Sequence, residues 1–288
     1  MYTYHILFNR LSKSNNGEKE AHRLDEILKD NNLVYHDLEE ICNYEEFFDN
    51  IPLEDKIVIS GGDGTLNCFV NNIDPCYIKQ DVLFFVSGSG NDFAHDVGVK
   101  KYSYPFDIKK YITNLPVTTV NGVQKRFFDS VSLGVDAYVC VEANRQKSNG
   151  RKNINYGIIA LKSILFKYKF RDAVVVANGQ EHHFKNVILA ITNKGKSFGG
   201  GIKVAPTQDR NSGQLTLIVA HGLPPIKAVY LFANIFLGKH LRFKEYVSVF
   251  TGTDFSVKFS APTPIQIDGE TTLDVTEYSV TTKSKETV

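Results

Sequence analysis

Apolar positions in the first hundred residues come in short runs set between polar, helix-prone segments. Residues 4–9 (YHILFN) read as a strand, and residues 18–29 place Ala21, Leu24, Ile27 and Leu28 at helical spacing. Residues 33–38 read as a second strand and 43–48 as a short helix. The runs 56–60 (KIVIS) and 82–86 (VLFFV) are almost wholly apolar, as in strands covered on both faces of a parallel sheet. The order βαβαβαβ predicts a layered α/β domain with a Rossmann-like parallel sheet over residues 1–115.

Beyond about residue 116 the pattern changes. Residues 173–177 (AVVVA), 187–192, 214–220, 246–250 and 255–259 read as strands, and Asn178-Gly179 is a hairpin turn signal. A second, mainly β domain is expected over 116–274, with the segment from about 275 to 288 packing back on the first. Two helices interrupt it, at 156–170 and at 224–241, the latter opened by prolines, which a first helical turn tolerates.

With 288 residues and 42% hydrophobic content, the chain has enough apolar side chains for two cores. It holds no apolar run of about 18 residues, and MYTYHILFNR is too short and strand-like for a signal peptide, so a cytoplasmic protein is expected. Cys42, Cys68, Cys76 and Cys140 form no CxxC pair and are expected as buried thiols. The net charge of +1 is divided unevenly: residues 1–115 hold 11 Lys and Arg against 19 Asp and Glu, net −8, and residues 116–288 hold 22 against 13, net +9. Either the second half faces an anionic surface or the halves attract each other. No nucleic-acid partner is expected, and a homodimer is left open.

The junction VISGGDGTLN places Gly61, Gly62 and Gly64 between a strand and a helix. Helix-start amides have no intrahelical partner, so with the helix dipole they suit a phosphate. Thr65, read as the helix start, would cap it or touch the phosphate, and Asp63 makes sense beside polyphosphate if Mg²⁺ intervenes. A glycine turn that binds nothing is the plainer alternative. A second small-residue turn, SGSGNDF, follows the next strand with Ser89, Gly90 and Asn91, and Asp92 reads equally as a helix-start acid.

At these residues the chain resembles the catalytic-domain family of diacylglycerol kinases, which includes bacterial lipid kinases, sphingosine kinases and ceramide kinases. The resemblance rests on SGGDGTLN, SGSGNDFAHDVG, FDSVSLGVDAYV, FGGGIKVAP and QIDGE, in that order along nearly the whole chain. It implies ATP bound in a cleft between an α/β domain and a β-sandwich domain, with γ-phosphoryl transfer to a lipid hydroxyl. It further implies nucleotide or metal contacts from Asn9, Gly61, Gly62, Asp63, Gly64, Thr65, Asn67, Ser89, Gly90 and Asn91, with Asp268 as catalytic base and Glu270 as a nucleotide-side acid. Read locally, Asp268-Gly269 is also a plain hairpin turn.

The chain departs from the family pattern at Arg10, where proline is usual, at Cys68, where glutamate is usual, and at Ser212. Bacterial lipid kinases place there an aspartate that binds a structural Mg²⁺, so that accessory ion is expected to be absent. The helix at 156–170 interleaves apolar residues with Lys162, Lys167 and Lys169, which suits either an anionic membrane or a core-packed helix with a wet basic face. The leading expectation is an ATP- and Mg²⁺-dependent lipid kinase, cytoplasmic and peripheral to a membrane, acting on diacylglycerol or a related lipid. A soluble-substrate kinase of NAD-kinase type and a non-catalytic nucleotide- or lipid-binding module remain as alternatives.

Overall fold

The computed structural model describes residues 1–151 and 153–282. The chain divides after Leu115 into two compact units. The first holds strands β1 (Thr3–Phe8), β2 (Asn32–Asp37), β3 (Lys56–Gly61), β4 (Asp81–Val86) and the short β5 (Phe106–Asp107) in the order β2-β1-β3-β4-β5. All neighbours are parallel except β5, which runs antiparallel along β4 at the edge. The central strands bury Ile6, Leu7, Ile57, Val58 and Ile59 completely, which is why they carry unbroken apolar runs rather than an alternation. The helix expected over 18–29 is broken into Gly17–Ala21 and Leu24–Ile27.

In the second unit, β6 (Val117–Val120), β7 (Val123–Arg126), β8 (Ser130–Gly134), β9 (Arg171–Ala177), β10 (Gln180–Val187), β11 (Leu189–Asn193), β12 (Leu215–Ala220), β13 (Val247–Gly252), β14 (Asp254–Ile267) and β15 (Glu270–Thr281) pair antiparallel. Strand β14 folds this sheet into a sandwich. Its first half pairs with β9 and its second with β8, and the register shifts between Lys258 and Ile265. Val175 and Ala177 of β9 thereby meet Leu217 and Val219 of β12 in one core. The opposite face of β11 and β12 is covered by helices Val135–Ser148, Tyr156–Lys162 and Pro225–Ile235.

The expected return of the tail to the first unit concerns residues from about 275. Of these, residues up to Thr281 belong to β15, which pairs with β14 and β6, and residues 283–288 lie outside the described residues. The cysteines differ from expectation: Cys42 and Cys76 are exposed and Cys68 and Cys140 half-buried, because the first two sit on short surface segments beside the sheet. Among the described residues, no helix is long and apolar enough to cross a membrane.

Candidate active site

The two glycine turns leave adjacent parallel strands at one sheet edge, where Gly61 of β3 pairs with Val86 of β4. Gly61 accepts backbone hydrogen bonds from Ser87 and Gly88 at 2.9 and 2.8 Å, and the hydroxyls of Ser60 and Ser87 lie 3.3 Å apart. A Cβ on Gly88 would sit 2.4 Å from the Cα of Gly62. The glycines therefore answer first to each other, because the loops pack main chain on main chain.

The first loop enters the ten-residue helix Asp63–Asn72 two residues earlier than the sequence suggested, with Gly62 at the cap and no side chain closing it. Thr65 is buried, its side chain lying against Gly61. Asn67 is also buried and accepts from the Asn71 side chain. Gly64 is exposed, and a Cβ there would meet nothing within 4 Å. This open first turn is where an anion can reach helix amides.

Asp63 links the two loops. Its Oδ2 accepts from the amide of Asp92 at 2.8 Å and its Oδ1 from that of Phe93 at 3.2 Å. The head of the five-residue helix Asp92–Asp96 is thus closed by a carboxylate of the neighbouring loop. Of the second turn, Ser89 and Gly90 are exposed, while Asn91 is buried in a left-handed conformation. The Asn91 Nδ2 donates to the carbonyl of Gly88 at 3.0 Å, and its Oδ1 is buried without a partner, an acceptor aimed at the loop junction. Asn9, after β1, donates to Glu39 at 2.9 Å and accepts from the amide of Leu11 at 2.8 Å.

The open, uncapped turn at Gly64 fits the phosphates of a nucleotide, whereas the Asn91 acceptor is enclosed between the two loops. No ready-made cation cluster accompanies this turn among the described residues. Asp63, expected to approach Mg²⁺, directs both oxygens to amides.

In the second unit, Asp268 and Gly269 form the two-residue turn between β14 and β15, with φ of 46° and 90°. Such a turn requires both residues in the left-handed region, which Asp-Gly supplies. The hairpin also directs the Asp268 carboxylate onto a run of three main-chain amides. Asp268 Oδ2 accepts from the amide of Phe128 at 2.6 Å, and Oδ1 from those of Asp129 and Ser130 at 2.9 Å each. Glu270, the first residue of β15, is exposed.

The segment holding Asp268 is itself fixed by a pair that the sequence reading missed. Arg210 donates to Asp129 Oδ1 and to the Phe128 carbonyl, both at 2.5 Å, and the two charged side chains are each only 5% exposed. Burial, and then Arg210, push Lys194 down from the usual lysine range. Ser212 closes its own loop: its hydroxyl donates to the Asp209 carbonyl at 2.7 Å and accepts from the Gln214 amide at 3.2 Å.

A second buried network lies under the turn. Gln266 accepts from the amide of Gly269 at 2.8 Å and donates to Ser130 Oγ at 3.1 Å and Asp136 Oδ2 at 3.4 Å. Ser132 donates to the same Oδ2 at 2.5 Å, and Asp136 Oδ1 is buried with no hydrogen-bond partner. Burial drives the Asp136 carboxyl above the usual range, against Ser132 and nearby amides that pull it down. An acid within the apolar stretch SVSLGVDAYV was the available sequence signal for this residue.

The chain matches the family model "Diacylglycerol kinase catalytic domain" over residues 3–122. It matches "YegS C-terminal NAD kinase beta sandwich-like domain" over residues 129–281. A curated relative, a diacylglycerol kinase of Mycobacterium tuberculosis, is 26% identical over 199 residues, which span 66% of this chain and 63% of the relative. A crystal structure of a diacylglycerol kinase from Bacillus anthracis str. Sterne superposes with a TM-score of 0.61 at 17% identity, covering 97% of this chain and 93% of that one. The likeness to that structure establishes the fold.

Proposed function

The chain belongs to the diacylglycerol kinase family, whose catalytic and β-sandwich-like domains it carries in order, and from that premise we propose that it transfers the γ-phosphoryl group of ATP to a lipid hydroxyl. The acceptor is diacylglycerol or a related lipid, met at the cytoplasmic surface of a membrane. One observation carries this reading: two main-chain-packed glycine turns at one parallel-sheet edge, opening on the uncapped helix at Gly64. ATP supplies the phosphoryl group and brings any Mg²⁺ on its own phosphates. The acceptor oxygen forms the new bond to phosphorus as the bond to ADP breaks, and Asp268 takes the hydroxyl proton. The three amides fix the orientation of that carboxylate before substrate arrives.

The test is ADP release with ATP and mixed micelles of diacylglycerol, monoacylglycerol or a sphingoid base. Asp268→Asn is expected to lower turnover about 100-fold or more, the scale of a lost general base, with ATP affinity retained. A second reading, a binding module without turnover, is favoured by the same three amides, which fill three of about four acceptor positions on a carboxylate. ATP binding without lipid-stimulated ADP release selects it. No nucleotide binding at all removes both readings.

A further inference from the structure

Two helices of the second unit are apolar toward solvent as well as toward the core. In Tyr156–Lys162 and the π-helical turn Ser163–Lys167, Ile159, Ala160 and Ile164 are buried, yet Ile158, Leu161 and Phe166 are 51%, 41% and 81% exposed. Helix Pro225–Ile235 repeats the arrangement. Ala228, Leu231 and Ile235 are buried, Ile226 and Tyr230 are 80% and 58% exposed, and Leu237 just beyond is 64% exposed. Residues three and four apart share a helix face, so each helix presents an outward apolar stripe. The π-turn packs against the second helix, and their inner side chains join one apolar cluster. Single exposed apolar side chains are ordinary, but paired stripes on neighbouring helices form a patch that calls for a partner.

The charges around the stripes identify that partner. Residues 156–171 contain Lys162, Lys167, Lys169 and Arg171 and no Asp or Glu. Residues 222–244 contain Lys227, Lys239, Arg242 and Lys244 and again no acid, and acids beside the two segments, Glu245 by Lys227 and Glu142 by Lys167, leave the cations in clear excess. Long cationic side chains can lay their stems along apolar surface while their heads reach phosphate. A second copy presenting the same face would set cations against cations, whereas an anionic bilayer satisfies both the stripes and their rim.

We propose that these two helices dock the chain on an anionic lipid bilayer, with Phe166, Ile226 and Leu237 entering the acyl boundary and the lysines meeting headgroup phosphates. The purpose of docking rests on the lipid kinase reading, but the binding itself needs no nucleotide. The inner faces of the same helices, through Ile164, Leu231 and Ile235, border a narrow apolar cavity of about 40 Å³ that Asp136 also lines. Docking sets the bilayer against the outer side of the helices that enclose this space.

The test is co-sedimentation of the full chain, without nucleotide, on vesicles of phosphatidylcholine alone or mixed equally with phosphatidylglycerol. The chain is expected to prefer the anionic vesicles at least about tenfold, and to release as salt rises from about 0.05 to 0.5 M. The double variant Phe166→Ser/Ile226→Ser should bind at least about tenfold more weakly with an unchanged Tm, since both side chains are exposed. The triple variant Lys162→Gln/Lys167→Gln/Lys169→Gln should bind about 100-fold more weakly. Leu53→Ser, an exposed apolar site of the first unit, should bind like the parent. Equal affinity for both vesicle types, no vesicle binding, or undiminished binding by the Phe166/Ile226 variant would each overturn the proposal. So would a dimer that this variant converts to monomer, which assigns the face to a second copy. Vesicle binding without phosphorylation of any lipid sustains the docking face and removes the kinase reading instead.

Discussion

Asp136 is a carboxyl group kept where a charge is costly. Ser132 and Gln266 both donate to Oδ2, while Oδ1 is buried without a side-chain donor. Burial raises its folded-state value above the unfolded one. The stability it contributes is therefore complete below the unfolded value and is lost as pH rises through the folded one. Asp136→Asn keeps the shape and stays neutral, so the variant's Tm should gain on the parent's as pH goes from acidic to alkaline, a comparison made by thermal melts across pH. His36 has the opposite sign. It shares a 2.9 Å hydrogen bond with His5 and is held down at about 4, first by burial and then by His5. Its contribution is present above the unfolded value of 6.5 and is lost as pH falls toward 4. His36→Gln should therefore flatten the acid limb of the melting curve. Neither role was legible in the sequence, since an aspartate in a quoted motif and a histidine in a strand say nothing of what surrounds them.

Among elements, legibility followed burial. Strands β1, β3, β4 and β12 are apolar because both faces are covered, and their sequences announce them. Strand β7, exposed over most of its length, and the half-exposed β15 have polar sequences and exist because neighbours pair with them. The helix expected over 224–241 ends at Ile235, although the apolar periodicity continues past it into a turn at Gly238, whose φ is 64°. The two glycine turns are visible in the sequence, but the contact between Gly62 and Gly88 arises only from the pairing of β3 with β4, and it separates two substitutions that look alike. Gly88→Ala drives a methyl group against the main chain of Gly62 and should cost about 1–3 kcal/mol in urea unfolding. Gly64→Ala meets open space in a first helical turn, and should be neutral or stabilising by about 0.5–1 kcal/mol. If phosphates approach the Gly64 amide, that stable variant should nonetheless bind ATP more weakly by calorimetry. Unchanged affinity would move the phosphates elsewhere.

For the whole molecule, charge separates the two partners more sharply than shape does. The first unit, with net −8, carries the turns proposed to hold a polyanion, and the second, with net +9, carries the face proposed to meet an anionic bilayer. Long-range fields between charges farther apart than a Debye length of about 10 Å at 0.1 M salt are screened, whereas close hydrogen bonds to helix amides are screened much less. Added salt therefore acts on the two events with opposite sign. It weakens the attraction of Lys162, Lys167 and Lys169 for headgroups, while it relieves the general repulsion between ATP and an acidic unit. Titrations of the same preparation at rising salt should show vesicle affinity falling steeply and ATP affinity holding or improving. If both fall together, the nucleotide is bound mainly by long-range attraction to lysines, and the amide-lined turn at Gly64 is not its principal anchor.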